Sequence, residues 1–293
     1  MPRHGKFYEK EAFHMMKNKT SRVLVLVFAI IIAITAAAAI CTYFALTGNF
    51  DHAIFHYDSS PVSNATRILP WCAIIIALVC SIAIRRDKSL GVELPITAGG
   101  TFASVLTGLL MISSAVFAVI INQRDLEMRF PQIVPIAAAA AVLSAVYLIA
   151  SPFIKNSSVR TAFSFAPAVW AASMLLKEYF RSGEPINSPL RDLDLSMYAF
   201  LLLYFTERIR FHLNNQKSAT YYFCAFSAFT FTGAAALPEL AVCLTDDSFS
   251  FNFASLCVGA ALVIFIAIDI ITAIKVTGGS STAPEHAAKQ DEN

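Results

Sequence analysis

The sequence predicts an all-α fold: a polytopic transmembrane helical bundle of about eight spans with both termini cytoplasmic. Three observations lead there. Of 293 residues, 57% are hydrophobic and only 14% charged, whereas a soluble domain carries about a quarter charged residues. Mean hydropathy is +0.62. Apolar runs recur along the whole chain, most of them near the roughly 20 residues a helix needs to cross a bilayer.

The runs are 23–47, 68–84, 101–122, 131–154, 161–180, 193–212, 219–243 and 251–274. Two stand apart. Residues 68–84 sit at the lower length limit, and 193–212 cross only if their charged residues are counted in. The domain reading is a basic cytoplasmic amino-terminal segment, 1–22, a transmembrane helical domain, 23–274, and a disordered cytoplasmic tail, 275–293. The connections are short, which leaves no room for a substantial soluble domain.

Residues 1–22 are rich in lysine and arginine. Tyr8, Ala12, Met15 and Met16 would share one helical face, as in a helix lying on an anionic leaflet. A disordered basic tail that enforces topology is the simpler expectation. The first apolar run is too long for the core of a secretory signal and no cleavage pattern follows, so it reads as a retained span. In the loop after it, His52 and His56 are four apart and would make a metal pair if that loop were helical. The neighbouring Phe50, Phe55 and Tyr57 fit interfacial anchoring better.

Ser104 and Gly108 in the third run, and Ala137, Ala141 and Ala145 in the fourth, set small residues at four-residue spacing. Such ridges let helices approach closely in lipid. In the fifth run Pro167 removes a backbone donor, and a kink is expected there. Trp170, Ser173, Lys177 and Arg181 follow along one stripe. It reads as a packed tryptophan with snorkelling cations above it, or as the lining of a wet cavity.

Charge at membrane depth is where function would show, because an unpaired ion there is costly. Lys177 and Glu178 close the fifth run; Glu207, Arg208 and Arg210 close the sixth; Glu239 follows Pro238 in the seventh. Asp269 is the sharpest anomaly, set between isoleucines in VIFIAIDIITAI. A carboxylate at a helix centre costs about 2.5–3.5 kcal/mol on insertion scales, so a partner is expected. Arg208 or Arg210 would meet it at matching depth, and Lys177 would meet Glu239 by the same argument. A local ion pair with Arg210 is the cheapest account of Glu207.

Lysine and arginine are concentrated on one side of this topology, in residues 1–22, at 85–88, at Lys155 and Arg160 and beyond 207, which puts both termini in the cytoplasm. The six cysteines all lie in apolar runs without metal-ligand spacing, so buried free thiols are expected. No HExxH, GxSxG or phosphate-binding loop occurs, and no cofactor is expected. Of the function classes left, a carrier or solute-pathway protein in the cell membrane is favoured. Its residues would be Trp170, Lys177, Glu178, Glu207, Arg208, Arg210, Glu239 and Asp269. The alternative is a non-transporting membrane subunit or scaffold in which the same charges are structural. The expected partners are the lipid bilayer, a small solute or ion, and a further membrane protein, but not nucleic acid.

Overall fold

The computed structural model describes residues 4–48, 50–51, 56–57, 60–85, 96–122, 132–154, 156–181, 188–213, 218–245 and 253–277. Nine helices occupy them: α1 (His4–Gly48), α2 (Pro61–Ile84), α3 (Ala98–Asn122), α4 (Ile133–Ala150), α5 (Ser157–Phe163), α6 (Ala166–Tyr179), α7 (Pro189–His212), α8 (Ser218–Thr245) and α9 (Phe253–Thr277). A two-residue antiparallel pairing of Phe50–Asp51 with His56–Tyr57 follows α1. The backbone of the basic segment is helical from His4 and continuous with the first span, rather than a separate tail.

Local chemistry explains where several helices begin. Ser60 caps α2, its hydroxyl accepting the Ser63 N–H at 3.1 Å, and Pro61 takes the first turn, where no donor is missed. Asn156 caps α5 by accepting the N–H groups of Ser158 and Val159. Pro167 interrupts the fifth run as expected. α5 ends at Phe163 and α6 restarts at Ala166, with Ser164 and Phe165 between them still in helical backbone. Pro167 falls in the first turn of α6, where its ring is tolerated. The Ser164 hydroxyl donates to the Thr161 carbonyl at 2.6 Å and helps close α5. α8, by contrast, runs through Pro238 as one helix.

Seven helical segments are long and apolar enough to cross a membrane: Thr20–Gly48, Pro61–Ile84, Ala98–Ile120, Ile133–Ala150, Ser158–Tyr179, Ala219–Thr245 and Phe253–Thr277. Their outward faces carry exposed Leu26, Ile75, Val79, Phe102 and Leu109, apolar surface of the kind that lipid covers. This is an integral, multi-pass membrane protein by fold. α7 is outside the seven. It has 24 residues, about 36 Å of helix, but charged residues at both ends dilute its apolar middle.

The helices close a ring. α3 packs on α4, α4 on α6, α6 on α7, α7 on α8, α8 on α9, and α9 on α3 again. α1 and α2 lie against α8 from outside the ring. The most buried of the seven spans is α8, with 67% of its apolar window enclosed against 28% in α1.

Small residues set the closest approaches. A Cβ on Gly108 would lie 2.7 Å from Ile149 Cγ1, and the Ser104 hydroxyl donates to the Leu148 carbonyl at 2.6 Å, so the α3–α4 seam uses the ridge read from sequence. A Cβ on Gly259 would collide with that of Ala236 on α8. Between α1 and α8, Gly233 leaves room for Thr35, which donates to Thr230 at 3.4 Å. None of the six cysteines forms a disulfide; Cys80 and Cys224 are buried and the other four half-buried.

Candidate functional site

The charged residues of the bundle gather at its two ends. At the lysine end, where α6 finishes and α7 starts, Glu178 is buried. Lys177 Nζ lies 3.7 Å from one of its oxygens and Arg181 Nη1 lies 3.3 Å from the other. Arg191, 2% exposed, turns back from the start of α7 to the end of α6. Its Nε donates to the Glu178 carbonyl at 3.1 Å and its Nη2 to the Tyr179 carbonyl at 2.6 Å. The last carbonyls of a helix lack intrahelical donors, and a guanidinium fork suits two of them. Buried Glu239 belongs to this end, with Glu178 and Asp194, around the buried Tyr198.

A cleft opens beside this group. It is lined by Met111 and Ala115 of α3, Ala138 of α4, Trp170 and Lys177 of α6, and Ser255 of α9. Its interior volume is about 30 Å³, enough for a water molecule or two and too little for an organic solute. Trp170 is buried and meets Tyr198 edge-on at 6.0 Å, so it is both packed and cleft-lining.

The aspartate end is built differently. Asp269 of α9, 8% exposed, lies 3.3 Å from Arg208 Nε of α7 and accepts a short hydrogen bond from the Tyr204 hydroxyl. α7 and α9 are separated by α8 in the ring, so these side chains meet across its interior. The Arg208 guanidinium also stacks over Phe265 at 4.6 Å, a cation–π contact from the turn of α9 preceding Asp269. Tyr204 and Tyr221 pack with ring centroids 6.4 Å apart, and Tyr147 of α4 lies within electrostatic reach of Arg208, Arg160 and Asp269. One turn on, Arg210 Nη1 holds Glu207 at 2.7 Å, with the Thr220 hydroxyl donating to the other Glu207 oxygen at 3.3 Å.

The structure thus divides the eight sequence-derived residues into two groups. Trp170, Lys177, Glu178 and Glu239 are at one end; Glu207, Arg208, Arg210 and Asp269 are at the other. Of the two cations expected for Asp269, Arg208 takes it and Arg210 takes Glu207. Lys177 is given a different carboxylate from the expected Glu239: its neighbour Glu178. The pairing of His52 with His56 falls partly outside the described residues, and among these no cluster of metal-ligating side chains forms.

Sequence reasoning passed over Tyr147, Tyr221 and Arg160. The tyrosines sit in apolar runs that look like ordinary core, and Arg160 looked like any basic residue of a cytoplasmic loop. Chemically, the aspartate end can hold charge away from water, and the lysine end can admit water to a narrow cleft. Comparison of the chain with protein-family models, curated proteins and solved structures finds no match, so the function must be argued from this geometry.

Proposed function

We propose that the chain is a carrier or solute-pathway protein of the cell membrane, in which a small solute or ion passes through the ring of six helices. The carrying observation is Asp269, a carboxylate held inside the ring by Arg208 and Tyr204 rather than at an exposed rim. A buried ion pair is a poor source of stability, since desolvation offsets its attraction, and an apolar pair of similar volume serves packing as well or better. Its retention in a membrane interior therefore argues for use. The cleft at the opposite end gives the same ring a space that can admit water.

In this reading α7 is an eighth crossing and α5 with α6 form one broken crossing. Both termini face the cytoplasm, so the aspartate end is the inner one. The lysine and arginine asymmetry supports that orientation. The bilayer is the partner the surface requires, and nothing in the charge distribution suggests nucleic acid.

The rival reading is a non-transporting subunit or scaffold, and one observation favours it: Glu178 and Glu207 are satisfied by cations on their own helices or two residues beyond. Single cysteines placed along α6, α7 and α9 of a cysteine-free protein, probed with a membrane-impermeant maleimide, separate the two. A solute pathway gives one continuous reactive stripe joining the Lys177 and Asp269 levels. Uniform protection through the middle of the ring would leave the scaffold. The same reagent on intact cells should label a cysteine at Arg181 but reach one at Lys275 only after permeabilisation; the reverse pattern would invert the topology.

A further inference from the structure

Among the described residues, the aspartate end has more cations than carboxylates and has hydrogen-bond donors left unmet. Glu207 pairs with Arg210 and Asp269 with Arg208, while Arg160 makes no ion pair among the described residues. Two nitrogens of these guanidinium groups, Arg208 Nη1 and Arg160 Nε, are buried and have no hydrogen-bond partner among the described residues. Leaving a buried donor unmet costs about 1–3 kcal/mol, and more when the group is charged. Native structures seldom tolerate one such group without a cause, and an unseen water or ion is a common one.

The two unmet donors belong to one neighbourhood. α5, which carries Arg160, packs on both α4 and α7, and Tyr147 of α4 is within electrostatic reach of both arginines. A position in the last turn of α5 favours a cation weakly, which accounts for the charge of Arg160 but not for its buried, unmet Nε. Water could accept from both donors but leaves the half-buried Arg160 guanidinium without a counter-charge among the described residues. An anion does both.

We propose that Arg160 and Arg208 form a binding site for a small oxyanion, a carboxylate or phosphate group, at the aspartate end of the ring. Guanidinium forks match the planar or tetrahedral oxygens of such groups. Tyr147 and Tyr221 lie within electrostatic reach of Arg208, and Asp269 holds the Arg208 Nε at 3.3 Å. The site gives the solute of the proposed pathway its charge, and it depends on that pathway only for the steps after binding. The oxyanion is carried either by a soluble solute or by a lipid headgroup.

The test is thermal unfolding of the purified full-length protein in phosphatidylcholine nanodiscs, with sodium phosphate or sodium acetate titrated in at constant ionic strength. A saturable rise in Tm, about 2–5 °C at ten times the Kd, is expected. Arg160→Gln should abolish it. Arg85→Gln, which removes an exposed cation from the end of α2, should not. If the rise is absent with soluble anions but appears when about one fifth of the lipid is phosphatidylglycerol, and again depends on Arg160, the oxyanion is a headgroup and the site stands. Arg160→Lys, which keeps the charge but not the fork, should retain less than half of the shift; this guards against a misfolded glutamine variant.

Wild-type protein that is indifferent to every anion and to lipid charge would overturn the proposal, with water alone on the two donors. Equal loss in the Arg160 and Arg85 variants would overturn it too. Neither result bears on the cysteine scan, so a failed anion site and a failed solute pathway can be told apart.

Discussion

The two ends of the ring use similar residues to opposite effect. At the lysine end, charges are satisfied close to home: Glu178 by Lys177 and Arg181, and the end of α6 by Arg191. At the aspartate end, the central pair links α7 to α9 across the interior, and two guanidinium nitrogens are left over. Local pairing is what a helix terminus needs for its own stability. Pairing across an interior serves no single helix. It ties the ring together or holds a site open, and this difference is why the aspartate end carries the functional argument.

The largest expected effect tests that difference directly. Arg208→Gln leaves a buried carboxylate with only the Tyr204 hydroxyl, and should cost about 3 kcal/mol. That is the lower end for breaking a buried pair, because Arg208 keeps a 21% exposed side chain. Asp269→Asn should cost a similar amount, and the double variant less than the two losses added, with a coupling of about 1–3 kcal/mol in denaturant unfolding. Additive losses would mean that the two side chains act separately, and the contrast between the ends would vanish.

Much of this fold was legible because length and hydropathy are what a bilayer selects. Runs near twenty apolar residues became α3, α4, α8 and α9 within a few residues of their expected bounds, whereas α2 starts seven residues before its run. The α3–α4 seam was legible too, since Ser104, Gly108 and Ala145 can serve close packing and little else. Which helices adjoin was not. Depth along a helix is read from residue count, whereas neighbours are set by three-dimensional packing that periodicity does not encode. Lys177 and Glu239 were therefore matched by depth alone, although α7 stands between their helices and Glu178 lay one residue away. The same depth argument found Arg208 for Asp269 because an arginine is long enough to cross the ring interior. Pro167 gave a true signal with an ambiguous meaning: the same residue kinks a helix from within or starts a new one, and the sequence did not say which. Arg160 was invisible as a site residue, since a short α5 must first fold back onto α4 and α7.

A smaller effect is expected from Arg191→Ala at the lysine end. It removes charge-assisted hydrogen bonds to the carbonyls of Glu178 and Tyr179, worth about 2 kcal/mol together. Arg191→Lys should recover little, because one ammonium cannot reproduce a fork donating from separate nitrogens. The loss should be additive with Asp269→Asn, since the two sites share no partner. Strong coupling between them would show that the ends communicate through α7, and the comparison would need redrawing as one network.

The smallest effect belongs to Lys177→Gln. Its ammonium is 3.7 Å from Glu178, a long approach for an ion pair, and its side chain is 20% exposed. Glu178 keeps Arg181 at 3.3 Å when Lys177 is gone, so no carboxylate is stranded. Exposed and partly exposed pairs of this kind contribute about 0.2–1 kcal/mol. The variant should therefore unfold within about 1 kcal/mol of the parent, measured beside Arg208→Gln under the same conditions. If Lys177 matters, it should be as a cation beside the cleft: Lys177→Gln would then change maleimide labelling at Ser255 or Ala138, which share that cleft, while stability holds. A loss of about 3 kcal/mol would instead make Lys177 the equal of Arg208, and the lysine end would no longer be the locally satisfied half of the molecule.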